Sequence, residues 1–473
     1  MSKDPLELLL ERLRTEAGTP IPTSSLGRLG RTALTGARVG LGALAGKMHG
    51  RDLNLGSLSP EALARLVESF GELKGIAMKV GQILSYVDGS LDPEARQFLA
   101  VLQRYSQPQP FAQIEQTIRE DLGTRGQALL ARFERELVST ASIGQVHRAV
   151  LEDGTRVAVK VRHPGIDAAI RADFRAAAVG KLMARALAPG VDISEIIDEA
   201  QARFLEECDY ALEARRQARF VELFAGDEAI AIPDVHLSWS GPRVLTTTWR
   251  EGADLETFLR SQPSAEARER AARALYVFYV GTLYRHGLFN ADPHPGNLLF
   301  APEGGVTILD YGCVREFDRD TVAGLVRLSR AVRADDEPRI QAALGAIGMP
   351  KPAADFDVTR GLLRGFFAPL LTPGRHAVPA DRAVAMGETV TLKRKLMRMR
   401  LPGKLVFLFR IRFGLYAVLS RIGAEYDWAS LEDELTGDLG CYKGRLATLV
   451  ETTHSTRRFG HSLTIATSVE AER

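Results

Sequence analysis

Four polar residues, in fixed order and spacing, limit what this chain can fold into more than any other feature. Lys160 ends the β-branched run Val157-Ala158-Val159-Lys160, which reads as a strand. Asp292 opens Asp292-Pro293-His294-Pro295-Gly296-Asn297, so an aspartate and an asparagine stand five apart on a proline-bounded loop. Asp310 follows Asp292 by 18 residues, behind the strand-like Val306-Thr307-Ile308-Leu309 and ahead of Tyr311-Gly312. A strand lysine, a loop carboxylate, an asparagine and a second carboxylate are the side chains needed to hold nucleotide phosphates and Mg²⁺. A two-lobed core with extensions would bring them together.

The composition permits this. At 473 residues, 45% hydrophobic and 25% charged, the chain resembles ordinary globular proteins and is long enough for two lobes with extensions. A net charge of +2 gives no global nucleic-acid signature, and none is expected as a partner. The three cysteines, Cys208, Cys313 and Cys441, have no paired spacing, which argues against a disulfide framework or a zinc site and suits a reducing cytoplasm. Met1–Thr19 mixes Asp4, Glu7, Glu11 and Glu16 with apolar residues, unlike a secretory signal. The most apolar stretch, Leu405 to Leu419, is broken by Arg410 and Arg412, so no transmembrane helix is expected.

Residues 1–58 read as a flexible basic arm, because 20–51 hold seven glycines, five Lys/Arg and no acid. A helical extension is expected over 59–132. It starts at Ser59-Pro60-Glu61 and carries Leu63, Leu66, Phe70 and Leu73 at helical spacing. A smaller lobe follows at 133–248, with strands at 145–150 and 156–161 joined through the turn at Asp153-Gly154. A long helix is expected at 194–222, closing strands at 232–237 and 243–248, and a hinge at 249–254. The remainder, 249–473, reads as a mainly helical lobe. Within it, residues 389–424 hold nine Lys/Arg and no acid, interleaved with Phe407, Phe409, Phe413 and Tyr416. This pattern fits an amphipathic face for anionic membrane, a nucleic-acid contact that nothing else in the chain supports, or a core helix with a solvated basic side.

Further motifs carry a family resemblance. Lys79-Val80-Gly81-Gln82 is a K-x-G-Q element in the N-terminal extension. Ala141-Ser142-Ile143-Gly144-Gln145-Val146-His147 is an alanine-containing loop with one glycine where kinases place three. Glu207-Cys208-Asp209 is an E-x-D element with Glu213 six residues beyond Glu207, and Asn290 to Asn297 forms the catalytic-type loop. In this order, over residues 60–320, the chain resembles the UbiB/AarF (ADCK-type) atypical kinases. It departs from their pattern in Asn290, where His is frequent, in Ser139-Thr140 ahead of Ala141, and in Thr246-Thr247-Thr248-Trp249 at the hinge.

The resemblance implies an α+β, two-lobed protein-kinase-like fold with a helical N-terminal extension and a helical C-terminal region. It implies that Lys160 contacts the phosphates of ATP or ADP, paired with Glu213. The loop Ala141, Ser142, Ile143, Gly144, Gln145 and Val146 would cover the nucleotide. Asn297 and Asp310 would bind Mg²⁺, and Asp292 would act as base or orienting carboxylate. Lys79 and Gln82, three apart on one helix face, would fold over the cleft, with Lys79 reaching Glu207 or Asp209. The function implied is an Mg²⁺-ATP-dependent kinase or ATPase supporting isoprenoid-quinone biosynthesis or membrane-lipid handling. Its expected partners are an anionic lipid, a quinone precursor or quinone-biosynthesis enzymes, met peripherally on a membrane. Two rival readings are a protein kinase acting in trans and a nucleotide-gated lipid- or quinone-binding scaffold. No Ala-Pro-Glu follows Asp310-Tyr311-Gly312, which disfavours docking of a peptide.

Overall fold

The computed structural model describes residues 108–141, 143–168, 171, 205–348, 356–379 and 403–437. Lys79, Gln82, Ser142, the arm at 1–58 and the basic stretch 389–402 lie outside them. The fold is α+β and protein-kinase-like.

The first lobe is built on a four-stranded sheet. Its strands are β1 (Phe133–Thr140), β2 (Gly144–Val150), β3 (Arg156–Arg162) and β5 (Val244–Thr248), in the order β1-β2-β3-β5. A two-residue strand, β4 (Ile230–Ala231), belongs to a separate three-stranded sheet in the other lobe. The β2–β3 turn needs Gly154, whose φ of +86° disfavours any residue with a Cβ, and Asp153 Oδ1 accepts from Thr155 N at 2.9 Å. Strand alternation then separates two faces. Val157, Val159 and Val161 are wholly buried in a cluster with Ile114 and Ile118 of α1 (Phe111–Leu122) and Leu129 of α2 (Thr124–Leu130). Fully burying such a branched side chain contributes about 1.5–3 kcal/mol. Lys160 takes the opposite face, with Val146 across from it on β2 and Leu245 on β5.

Three expectations need correction. The helix expected at 194–222 is interrupted among the described residues at Cys208-Asp209. There Asp209 accepts from Leu212 N at 3.0 Å and caps a new helix, α3 (Tyr210–Leu223). The segment 232–237 is not a full strand. It meets β5 through one bridge, Val235 to Thr247, before a short turn at Leu237–Trp239. β1 was not anticipated, because its run of charged residues leaves a mostly exposed, bulged edge.

Beyond the hinge region, Ala253 exchanges two backbone bonds with Phe300 (2.9 and 2.8 Å) and Asp254 caps α4 (Leu255–Arg260). Ser264 caps α5 (Ala265–Tyr276), which continues through a π-helical turn at Val277–Gly281 into α6 (Thr282–His286). Short strands β6 (Leu288–Asn290), β7 (Leu298–Phe300), β8 (Val306–Ile308) and β9 (Val314–Glu316) carry the loops of the site. They pair as β4-β8-β7 and β6-β9. Helices α7 (Arg319–Arg333), α8 (Glu337–Ala346) and α9 (Phe356–Phe366) follow. A small pair, β10 (His376–Ala377) with β11 (Glu425–Tyr426), flanks α10 (Gly403–Ile422) and α11 (Trp428–Thr436).

Around Arg412, α10 is core, while the Arg421 side chain in its last turn is 42% exposed and pairs with Glu256 of α4. Arg412 is 5% exposed and pairs with Glu432 of α11, which is 1% exposed. Glu432 also accepts from Tyr276 Oη at 2.5 Å, Tyr284 Oη at 3.1 Å and Ser329 Oγ at 2.6 Å. The Arg412 guanidinium lies over Phe366 and Phe367, 5.0 and 4.8 Å from their ring centres, and the buried Tyr416 donates to Phe366 O at 3.0 Å. No helix among the described residues is long and apolar enough to cross a membrane.

Candidate active site

Lys160 reaches across the sheet face to Glu213, its expected partner, and also to Asp310. Its Nζ lies 2.8 and 3.1 Å from the Glu213 oxygens and 3.1 Å from Asp310 Oδ2. Burial opposes the lysine's charge, but Asp310 and Glu213 outweigh it and hold its pKa well above the ordinary lysine value. Burial pushes the Glu213 carboxyl up, against the pull of Lys160. An ionised amine held between two acids is poised to exchange one of them for a phosphate oxygen.

The catalytic-type loop is braced from several sides. Asn297 Nδ2 donates to Asp292 Oδ2 at 3.1 Å, and Leu309 N donates to Asn297 O at 2.9 Å, tying the loop to the strand leading into Asp310. Asn290, noted above as a departure from the family pattern, is 1% exposed. Its Nδ2 donates to Asp310 O at 2.8 Å while its Oδ1 accepts from Asp292 N at 3.1 Å, so one amide spaces the two acidic residues. Nothing in composition or periodicity marks Asn290; only its place two residues before Asp292 could have. Tyr279, in the π-helical turn, donates to Asp292 O at 3.4 Å, and His294 Nδ1 accepts from Gly296 N at 3.0 Å to close the turn. Pro293 packs on α10 where residue 414 is glycine. A Cβ there would sit 2.7 Å from Pro293 Cγ.

Of the covering loop, Ala141 and Val146 are half-buried, and Ile143 and Gly144 are buried. Ala141 N donates to Gly144 O at 2.8 Å, arching the loop. Gly144 must be glycine, since a Cβ would meet Val161 O at 2.5 Å. The Gln145 side chain is buried, accepts from Gln109 N at 2.8 Å and contacts His147 Nε2 at 2.9 Å. Asp209 is likewise committed to capping α3, and Glu207 is half-buried beside it. The neighbour Glu206 does what sequence reasoning missed. It accepts from Arg216 at 3.0 Å and Arg315 at 3.1 Å, while Arg216 donates to Gly312 O at 3.0 Å, so the helix bearing Glu213 also grips the turn after Asp310. Arg216 lies three residues from Glu213, hence on the same helix face, which was the available signal.

From Gly312 the chain forms β9 directly and enters α7 at Arg319, capped by Asp318. No group of three or more His, Cys, Asp or Glu among the described residues could hold a metal. The oxygen donors Asp310 and Asn297 still suit Mg²⁺, which binds through one or two protein ligands plus phosphates and water.

The model of the ABC1 atypical kinase-like domain matches residues 101–344, more than half of the 473-residue chain. The chain belongs to that family. This ABC1-type chain is 31% identical over 278 residues to AarF domain-containing protein kinase 1 of Xenopus laevis, covering 57% of this chain and 52% of the relative. It is 27% identical over 320 residues to the mitochondrial atypical kinase COQ8 of Saccharomyces cerevisiae, covering 66% and 64%. The chain thus spans about half to two thirds of the length of these relatives. Among solved structures, the complex of Rv3197 with erythromycin from Mycobacterium tuberculosis superposes with a TM-score of 0.59 at 28% identity, covering 79% of this chain and 95% of that one. The ABC1 match ends at residue 344, ahead of α9, α10 and α11.

Proposed function

We propose that this chain binds Mg²⁺-ATP or Mg²⁺-ADP and acts as an atypical kinase or ATPase. The observation that carries the reading is Lys160 held by both Glu213 and Asp310, with Asp292 and Asn297 joined on the facing loop. In this reading Lys160 binds the α- and β-phosphates, and the backbone of 141–146 covers them. Asp310 and Asn297 hold Mg²⁺, which neutralises charge on the phosphates and orients them. Asp292 orients the attacking group. Lys79 and Gln82 close the cleft from the N-terminal extension. The short passage from Gly312 to Arg319 supports a non-peptide acceptor, because it leaves little chain for a peptide-docking platform. The family resemblance supports a role in isoprenoid-quinone biosynthesis or membrane-lipid handling, with peripheral contact to anionic lipid.

Mg²⁺-ATP turnover by the purified chain, with and without anionic vesicles, tests this. Saturable turnover that falls at least about 100-fold in Asp310→Asn is expected, since the variant removes a charge facing the phosphates. Equal turnover in both proteins, or no nucleotide binding by the wild type, would sink the proposal.

A further inference from the structure

The buried tyrosines differ in one respect. Tyr276 and Tyr284 donate to Glu432, Tyr279 to Asp292 O, Tyr311 to Ile308 O and Tyr416 to Phe366 O. Tyr210 is 0% exposed, yet its hydroxyl has no hydrogen-bond partner among the described residues. Burying a hydroxyl without an acceptor is destabilising, and phenylalanine would fill the same space without that penalty.

Its position accounts for the hydroxyl. Tyr210 begins α3, three residues before Glu213, in a small apolar cluster with Ile143, Ala214 and Leu245 under the cleft face of the sheet. Lys160 Nζ lies 5.1 Å from its ring centre. The hydroxyl oxygen is 2.6 Å from where a Cβ on Gly144 would stand, so it occupies the space left by that glycine beneath the arch of the covering loop. An unsatisfied donor therefore sits between the loop and the lysine that flank the phosphates in the reading above. Burial raises its pKa and keeps it protonated, as a donor to an anionic oxygen requires.

We propose that the Tyr210 hydroxyl donates a hydrogen bond to a phosphate oxygen of the bound nucleoside di- or triphosphate. This rests on the nucleotide-binding reading. Tyr210 thus joins Lys160 as a phosphate-binding residue: the lysine supplies charge, and the tyrosine supplies a directed donor that a glycine-poor loop does not.

The test compares wild type and Tyr210→Phe in the full chain. Mg²⁺-ADP affinity is measured by calorimetry, and thermal unfolding is followed without nucleotide. Removing a donor to a charged oxygen should weaken ADP about tenfold or more. Removing an unsatisfied hydroxyl should leave the midpoint without nucleotide unchanged or higher. Wild-type affinity in the variant would overturn the proposal, as would a lowered midpoint without nucleotide, which would mark a structural hydroxyl. If the wild type itself binds no ADP, the nucleotide reading fails and this proposal falls with it, a result distinct from tight binding by both proteins.

Discussion

Gly414→Ala perturbs the catalytic-type loop from outside the motifs. The added methyl would stand 2.7 Å from Pro293 Cγ and 3.7 Å from Cδ, so Pro293 must retreat by about 0.7 Å to reach an ordinary 3.4 Å contact. Two stability terms oppose each other. Overpacking costs about 1–3 kcal/mol, and replacing glycine within α10 returns about 1 kcal/mol of helix propensity. The net is a loss of about 0–2 kcal/mol, or roughly 0–8 °C in unfolding midpoint for a domain of this size. Asp292 adjoins Pro293, and its 3.1 Å bond to Asn297 cannot absorb a shift of that size unchanged. Displacement near 1 Å at a reacting group costs up to about 100-fold in rate. Mg²⁺-ATP turnover should therefore fall about 10- to 100-fold while nucleotide affinity, set by Lys160 on the other lobe, changes little. Turnover within twofold of wild type would refute the claim that α10 positions Asp292.

Two further outcomes follow from buried polar groups. Glu432→Gln should leave the Arg412 charge uncompensated and cost about 3–5 kcal/mol, lowering the midpoint by roughly 10 °C. The double variant Arg412→Met/Glu432→Gln should recover most of this, and a loss under about 1 kcal/mol in the single variant would contradict the assignment. His147 is buried with its Nδ1 at 3.1 Å from Glu134 O and Glu136 O, and burial holds its pKa below the ordinary 6.5 despite those bonds. The unfolded chain therefore takes up the proton first, and stability should decline as pH falls below 6.5 towards the depressed native value. Urea unfolding from pH 7.5 to 5 should show this slope in wild type and a flatter one in His147→Gln; equal slopes would remove His147 from the account.

What could be read from the chain alone follows a physical divide. The β2–β3 hairpin was readable because alternation and an Asp-Gly turn act locally. Lys160, Glu213 and Asp310 were readable only as an ordered set, since they lie 53 and 150 residues apart from the lysine and meet through tertiary packing. Arg412 illustrates the opposite case. On a basic segment it reads as a solvated or lipid-facing charge, yet its partner Glu432 lies 20 residues on, in another helix. For Gln145, strand alternation turns the side chain to the face opposite Lys160, which the loop motif does not record. Asn290 and Arg216 were marked only by their spacing from Asp292 and Glu213, and their contacts to backbone carbonyls and a shared acid, Glu206, leave no other trace in the sequence.

The Arg412–Glu432 cluster shows that the span matched by the ABC1 domain is shorter than the unit that folds. The ABC1 match stops at residue 344, but the acceptor for Tyr276, Tyr284 and Ser329 is at 432, and the wall behind Pro293 is at 414. An excised 101–344 segment would keep every motif among those residues and lose the groups that satisfy its own interior. Two relatives with identical motifs and different final helices can therefore hold the same loop in different positions, so motif agreement bounds the chemistry without fixing the rate.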